Sequence, residues 1–278
     1  MKQPLAGMTP EEISTHLEIK PFQGKQIFQW IHQKRVFDFQ EMTNLPKPLR
    51  AKLEEQCTAS SAILLEEKLS PATGTKKVLL QLHDGETVES VLIRDGQRVT
   101  LCLSSQVGCP LQCSFCATGL AGLERNLTAG EIVEQALFLL ATEDMERRTP
   151  NIVYMGMGEP FQNYGEVISS IRLLMQSDGL GIGARKITVS TAGQAKEIEQ
   201  FAQEDWQVRL SVSLHAANDE LRAKLIPLNR RYPLERLREA LIQYHRQTGR
   251  QITFEWTLLD GVNDREQDAT EFAAYAEP

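Results

Sequence analysis

From residue 99 onward, short apolar runs alternate with amphipathic stretches, and this alternation constrains the fold more than any other feature of the sequence. The runs at 99–105, 151–157, 186–190, 208–214 and 252–259 read as strands. The stretches at 129–142, 164–176, 195–203, 234–248 and 265–276 place apolar residues at helical spacing. Five successive β/α units imply a parallel sheet, because right-handed crossovers lay each helix on the same side. The expected fold is α/β, an open partial (β/α) barrel with its functional groups at the carboxyl ends of the strands. A sixth strand is the natural next element after the fifth helix, but the sequence stops at Pro278. Either the sheet edge is left open or the chain is shorter than the unit that evolved, and the abrupt stop favours truncation over a naturally short form.

Upstream, the pattern changes twice. Thr9-Pro10-Glu11-Glu12 carries an N-cap, a proline at the first helical position and acids in the first turn. Residues 25–34 and 45–55 repeat the helical spacing, while 62–65, 77–82 and 88–93 read as strands separated by turn clusters. The expected division is a helical domain over 1–60, a β connecting segment over 61–98 and the partial barrel over 99–278.

A chain of 278 residues that is 41% hydrophobic can build one large domain and a small accessory one. No signal-peptide core follows Met1 and no stretch is long and apolar enough to span a membrane, so a cytoplasmic location without a membrane partner is expected. Five cysteines, three of them clustered, suit a reducing compartment. The net charge of −7 argues against a surface that binds nucleic acid throughout. The charge is uneven, with 8 basic and 7 acidic residues in the first 60. Lys20, Lys25, Lys34, Arg35, Lys47, Arg50 and Lys52 form a candidate basic face there, with ordinary solvated helix charges as the alternative.

Cys109, Cys113 and Cys116 form a CxxxCxxC run just after the first barrel strand. Thiolates bind iron–sulfur clusters, and three local cysteines hold three irons of a four-iron cubane while the fourth stays open to a small molecule. A zinc knuckle or a disulfide pair is the alternative, although zinc usually takes four ligands, often as two CxxC-type pairs, and no second pair is near. Cys57 reads as a buried structural thiol. Gly156 and Gly158 end the second barrel strand, where missing side chains let backbone approach a ligand. Glu159 can accept hydrogen bonds from an ammonium group, or mark an ordinary strand-to-loop turn. Ser190 ends the third strand and Ser213-Leu214-His215 the fourth, all at one rim. Taken singly, His215 reads as a satisfied polar residue, Cys102 as a core thiol and Glu89 as an exposed strand acid.

The run, with Phe115 just before its last cysteine, resembles the radical S-adenosylmethionine (SAM) superfamily. The segments 101–109 and 124–128, Met155-Gly156-Met157-Gly158-Glu159-Pro160 and Thr188-Val189-Ser190-Thr191 narrow this to the RlmN/Cfr group of RNA adenine methyltransferases. The segment 42–47 favours the RlmN branch, which methylates carbon 2 of adenine in 23S ribosomal RNA and transfer RNA, over the carbon-8 Cfr branch. The resemblance covers nearly the whole chain. It implies a [4Fe-4S] cluster on Cys109, Cys113 and Cys116, with SAM held by Gly158, Glu159, Ser190, Ser213, Leu214 and His215. It further implies Cys102 as the thiol that resolves a covalent protein–RNA intermediate, Glu89 as the proton acceptor, and an external electron donor. Carbon 2 lies between two ring nitrogens and is too electron-poor to attack a methyl sulfonium, so radical chemistry is needed.

RNA phosphates are expected on Lys25, Lys34 and Lys47, with an unstacked adenine at the site. In the resembled group, the methyl-carrying cysteine and an asparagine that contacts SAM follow the sixth strand. This sequence stops before both, so the expectation is a chain that binds cluster and SAM but does not methylate RNA unaided. The competing readings are a non-catalytic RNA- and SAM-binding remnant, a radical SAM enzyme for another substrate, and a zinc module.

Overall fold

Local capping sets where the first helices begin. In the computed structural model, which describes residues 2–143, 145 and 149–277, the N-terminal unit runs from β1 (Gln3–Pro4) through α1 (Pro10–Leu17), α2 (Pro21–His32) and α3 (Lys47–Gln56) to β2 (Cys57–Thr58). Met1 and Pro278, the outer bounds of the expected domains, lie outside the described residues. Thr9 caps α1 reciprocally with Glu12: the Glu12 N–H donates to Thr9 Oγ1 and the Thr9 N–H to Glu12 Oε2. β1 and β2 pair in parallel and tie the two ends of the unit together. His32 is buried and stacks on Phe28 with ring centroids 3.9 Å apart. Burial holds its imidazole down at about 3, so the ring is neutral.

The remaining strands form one eight-stranded sheet and one short hairpin. In chain order come β3 (Ile63–Leu69), β4 (Lys76–Gln81), β5 (Thr87–Asp95), β6 (Arg98–Cys102), β7 (Gln106–Gly108), α4 (Ala117–Ala121), β8 (Leu123–Asn126) and α5 (Ala129–Leu140). Then follow β9 (Asn151–Tyr154), α6 (Tyr164–Met175), β10 (Ile187–Thr191), α7 (Ala195–Phe201), β11 (Arg209–Ser213), α8 (Asp219–Leu225), α9 (Leu234–Thr248), β12 (Ile252–Glu255) and α10 (Glu266–Ala276). The sheet order is β12-β11-β10-β9-β6-β5-β4-β3. The five barrel strands pair in parallel, and the sheet stays open as expected.

Residues 61–98 do more than connect. β3, β4 and β5 pair antiparallel with one another and onto β6, and so extend the barrel sheet itself. The sequence marks these strands, but their pairing partner is a tertiary fact. α5 is buried almost all round because it lies between this sheet and the N-terminal unit. There, Gly7 meets Gly130 so closely that a Cβ on Gly7 would lie 2.9 Å from Gly130 Cα. Phe37 stacks on Phe138, and Lys25 pairs with Asp178 at 2.9 Å. One continuous hydrophobic core therefore runs from Leu5 to Tyr244. Among the described residues, no helix is long and apolar enough to cross a membrane.

Candidate active site

The cysteine run forms a loop fixed at both ends by backbone. Gly108 has φ +79°, and a Cβ there would sit 1.9 Å from Gly122 O, so this position requires glycine. The Cys109 N–H donates to Gly122 O (2.8 Å), the Cys116 N–H to Cys113 O (3.1 Å) and the Ser114 N–H to Leu225 O (3.0 Å). Cys109 and Cys113 pack with Leu111, Ala192, Ala216, Leu225 and Ile226. Burial pushes the Cys109 thiol up to about 11 and the Cys113 thiol up to about 12. The neighbouring cysteines and Glu159 add to both shifts, while Arg222 opposes the shift of Cys113.

Three thiols this close repel one another as thiolates, and a bound cationic iron centre is what would hold them ionised together. Three thiolates and no fourth protein ligand suit three irons of a cubane with the fourth left open, whereas a structural zinc ion takes four ligands.

Opposite the loop, the second barrel strand leads to Glu159, which is 3% exposed. Its Oε1 accepts from the Phe161 N–H (3.1 Å) and its Oε2 from the Ala192 N–H (2.8 Å). Burial raises its carboxyl to about 7 against those hydrogen bonds, which leaves it receptive to a cation. The glycines before it answer to packing. A Cβ on Gly156 would lie 2.5 Å from Ser104 Oγ, and one on Gly158, where φ is +103°, would lie 2.7 Å from Gln106 Cβ. The close approach expected toward a ligand is thus made to residues 103–106 of the chain itself.

The third, fourth and fifth barrel strands converge on a carboxylate that the sequence reading missed. Glu255 Oε1 accepts from Ser190 Oγ (2.9 Å) and Ser211 Oγ (2.5 Å), and its Oε2 accepts from Ser213 Oγ (3.3 Å). Register explains the meeting, since Ser190 pairs with Ser211 and Ser213 with Glu255. The alternation of Ser211 and Ser213 was the available signal, because residues two apart face one side of a strand. Leu214 is fully buried and its backbone is engaged within the chain: its N–H donates to Glu255 O (3.0 Å), and its carbonyl accepts from the Ala216 N–H (2.7 Å) and Arg222 Nε (3.1 Å).

His215 has φ +56°, and its Nδ1 accepts from the Thr257 N–H (2.9 Å), which puts the ring proton on Nε2. Burial lowers its imidazole to about 4. The ring meets Phe115 of the cysteine loop edge-on at 4.8 Å. Asn263 Nδ2 clamps the turn by donating to His215 O (2.8 Å) and Thr257 O (2.9 Å). Arg222, fully buried, donates to Ala192 O, Ser213 O, Leu214 O and Asn229 Oδ1. Neither Asn263 nor Arg222 carries a local sequence signal, because their partners are mostly backbone carbonyls of distant segments.

Cys102 ends β6, flanked by Val91 and Val153, and Glu89 lies two residues along β5 from Val91. The two side chains therefore face the same side of the sheet. Burial, with the Glu255 charge adding, raises the Cys102 thiol to about 11. Glu89 is exposed and ion-paired with Lys77 at 2.7 Å. The candidate basic face is partly engaged within the molecule. Lys25 pairs with Asp178, Lys34 lies 3.3 Å over the Trp30 ring, and Lys52 donates to Leu17 O, while Lys47 and Lys20 are exposed.

Residues 103–273 match the model of the radical SAM superfamily, and residues 5–59 match that of a ribosomal RNA large subunit methyltransferase N-terminal domain. The chain is 47% identical over 254 residues to a probable dual-specificity RNA methyltransferase RlmN of Dictyoglomus thermophilum, covering 91% of this chain and 72% of that one. It is 46% identical over 274 residues to the protein of the same description from Moorella thermoacetica, covering 95% and 77%. A crystal structure of a radical SAM methyltransferase from Sphaerobacter thermophilus superposes with a TM-score of 0.94 at 44% identity, over 98% of this chain and 81% of that one.

Proposed function

This chain belongs to the RlmN family of radical SAM RNA methyltransferases, and we propose that its site is built to methylate carbon 2 of adenine in ribosomal and transfer RNA. The observation that carries the reading is the meeting of the cysteine loop, Glu159, the serine-ringed Glu255 and His215 at one end of the parallel strands. Cys109, Cys113 and Cys116 would hold a [4Fe-4S] cluster, which when bound supplies one electron to the sulfonium of SAM.

Glu159 takes the ammonium of SAM, and the buried cation draws its carboxyl back into the ionised form. Glu255 offers acceptor oxygens to ribose hydroxyls, oriented by its three serine donors. His215 presents Nε2–H, and its ring packs against the cysteine loop. Toward the substrate end, Glu89 takes the ring proton from the modified adenine, and Lys77 stabilises its carboxylate between turnovers. Cys102, held as a thiol by burial, stands on the same face to resolve the protein–RNA intermediate. Cys57, the remaining cysteine, is buried in the N-terminal unit. With Cys109, Cys113, Cys116 and Cys102 so assigned, none of the five cysteines in these 278 residues is left beside the site to carry the methyl group.

Anaerobic reconstitution with iron and sulfide, followed by dithionite and SAM, tests this directly. The expected result is a broad absorbance near 400 nm and 5′-deoxyadenosine, without 2-methyladenine in added RNA. Zinc in place of iron and sulfide would refute the cluster, and 2-methyladenine formed by these 278 residues would refute the need for a further cysteine.

A further inference from the structure

The ladder between β5 and β6 ends at Val91 and Cys102, just short of Glu89. Carried two residues further, the same antiparallel register sets Glu89 opposite Ser104. α5 has taken the backbone of Ser104 out of that ladder. Gln135, fully buried on this helix, accepts from the Ser104 N–H through Oε1 (2.8 Å) and donates from Nε2 to Ser104 O (3.0 Å). The side chain of Ser104 makes the cross-strand bond instead, as its Oγ donates to Glu89 O at 2.7 Å.

The same oxygen accepts from the Met157 N–H at 2.8 Å. A hydroxyl has one proton and two lone pairs, so it serves both backbones at once with its proton committed to Glu89. The Glu89 N–H in turn donates to Met157 Sδ at 3.5 Å. Both peptide groups of Glu89 thus point across the junction, to Ser104 and Met157. From Met157 the connection runs on to Glu159. Met157 O accepts from the Ser105 N–H (2.8 Å) and the Gln106 N–H (3.2 Å), and Gln106 Oε1 accepts from the Glu159 N–H (2.8 Å). Ser104 is fully buried, and a Cβ on Gly156 would lie 2.5 Å from its Oγ. Packing this close passes a shift of the Met157 backbone to Ser104 rather than absorbing it in a gap.

We propose that Ser104 is a positioning residue, which fixes the peptide of Glu89 to the loop that leads to Glu159, so that SAM seated on the parallel half orders the proton acceptor on the antiparallel half. The inference rests on the reading of Glu159 as the ammonium site and of Glu89 as the proton acceptor. Ser104 acts through backbone atoms of both halves rather than through either carboxylate. The Glu89 side chain is exposed, so its place over the open face depends on how its own backbone is held.

Amide hydrogen exchange of the reconstituted chain, with and without SAM and with no reductant, reads this coupling by mass spectrometry over residues 86–93. SAM should slow exchange of that segment about fivefold in the unsubstituted chain, the low end of the usual coupling between two sites. Ser104→Ala should abolish the slowing, while equilibrium dialysis finds SAM affinity within about fivefold of the unsubstituted chain, the limit that reciprocal coupling sets. Ser90→Ala is the structural control. It removes another buried hydrogen bond, Ser90 Oγ to Gln135 Oε1 at 2.6 Å, and leaves the hydroxyl bridge in place, so the slowing should persist. Bound SAM without slowing in the unsubstituted chain would overturn the proposal. Slowing retained in Ser104→Ala, or lost equally in Ser90→Ala, would overturn it too. Failure of the unsubstituted chain to bind SAM would instead overturn the reading of the Glu159 site, and the coupling with it.

Discussion

The parallel half of the sheet, β6 with β9 to β12, and the antiparallel half, β3 to β5, share one hydrogen-bonded ladder but live in different surroundings. In the parallel half, the central strands β10 and β11 are buried along most of their length, and the polar groups they do carry meet at their carboxyl ends. In the antiparallel half, β4 and β5 bury alternate residues against α5 and leave the other face open, while β3 is exposed throughout. That open face continues the barrel interior, because Val91 pairs with Cys102 across the junction. One half is thus suited to enclose a small cofactor and the other to admit a large substrate.

The sharpest way to break the parallel half is Arg222→Met. The substitution leaves the buried oxygens of Ala192, Ser213, Leu214 and Asn229 without their shared donor. Loss of such a network costs roughly 3–5 kcal/mol, which for a chain of this size lowers the melting temperature by about 10 °C. A fall of less than 2 °C in calorimetry would show that the rim does not depend on this guanidinium.

His32 is the next lever, on the N-terminal unit that backs α5 behind the antiparallel half. Its folded form stays neutral down to about 3, whereas an unfolded histidine takes up a proton near 6.5. Between those values the unfolded chain binds more protons, so stability falls as pH falls, by about 4 kcal/mol at pH 3. His32→Phe should flatten the denaturant midpoint across that window. A slope unchanged from the parent would assign the acid sensitivity to other groups.

The strands of both halves could be read from the sequence, but not their pairing across the junction. Apolar runs and helices of twelve to fifteen residues such as α5, α6 and α9 announce themselves by periodicity, so the parallel half was legible nearly strand for strand. α4, α8 and the β7–β8 hairpin are too short to show a period, yet they grip the cysteine loop. Cys109, Cys113, Cys116 and Glu159 were visible because their signal is local spacing. Glu255 and Arg222 were not, because a charge in a strand and an arginine in a seven-residue helix acquire meaning only from partners brought by the fold. The junction of the two halves was hidden for the same reason.

Paired carboxylate substitutions then compare the two halves at the site itself. Glu159→Gln removes the charge proposed to hold the ammonium of SAM. It should weaken SAM binding by the reconstituted chain at least tenfold, measured by equilibrium dialysis, since a charge-assisted contact is worth about 1.5–3 kcal/mol. Glu89→Gln, in the antiparallel half, should change SAM affinity by less than about twofold, and the melting temperature by about 1 °C or less because its ion pair with Lys77 is exposed. Its expected effect is confined to proton removal from adenine in an enzyme that completes methyl transfer. A loss of SAM binding in Glu89→Gln comparable to that in Glu159→Gln would abolish the division of labour, because the open face would then be part of the cofactor site rather than the approach to it.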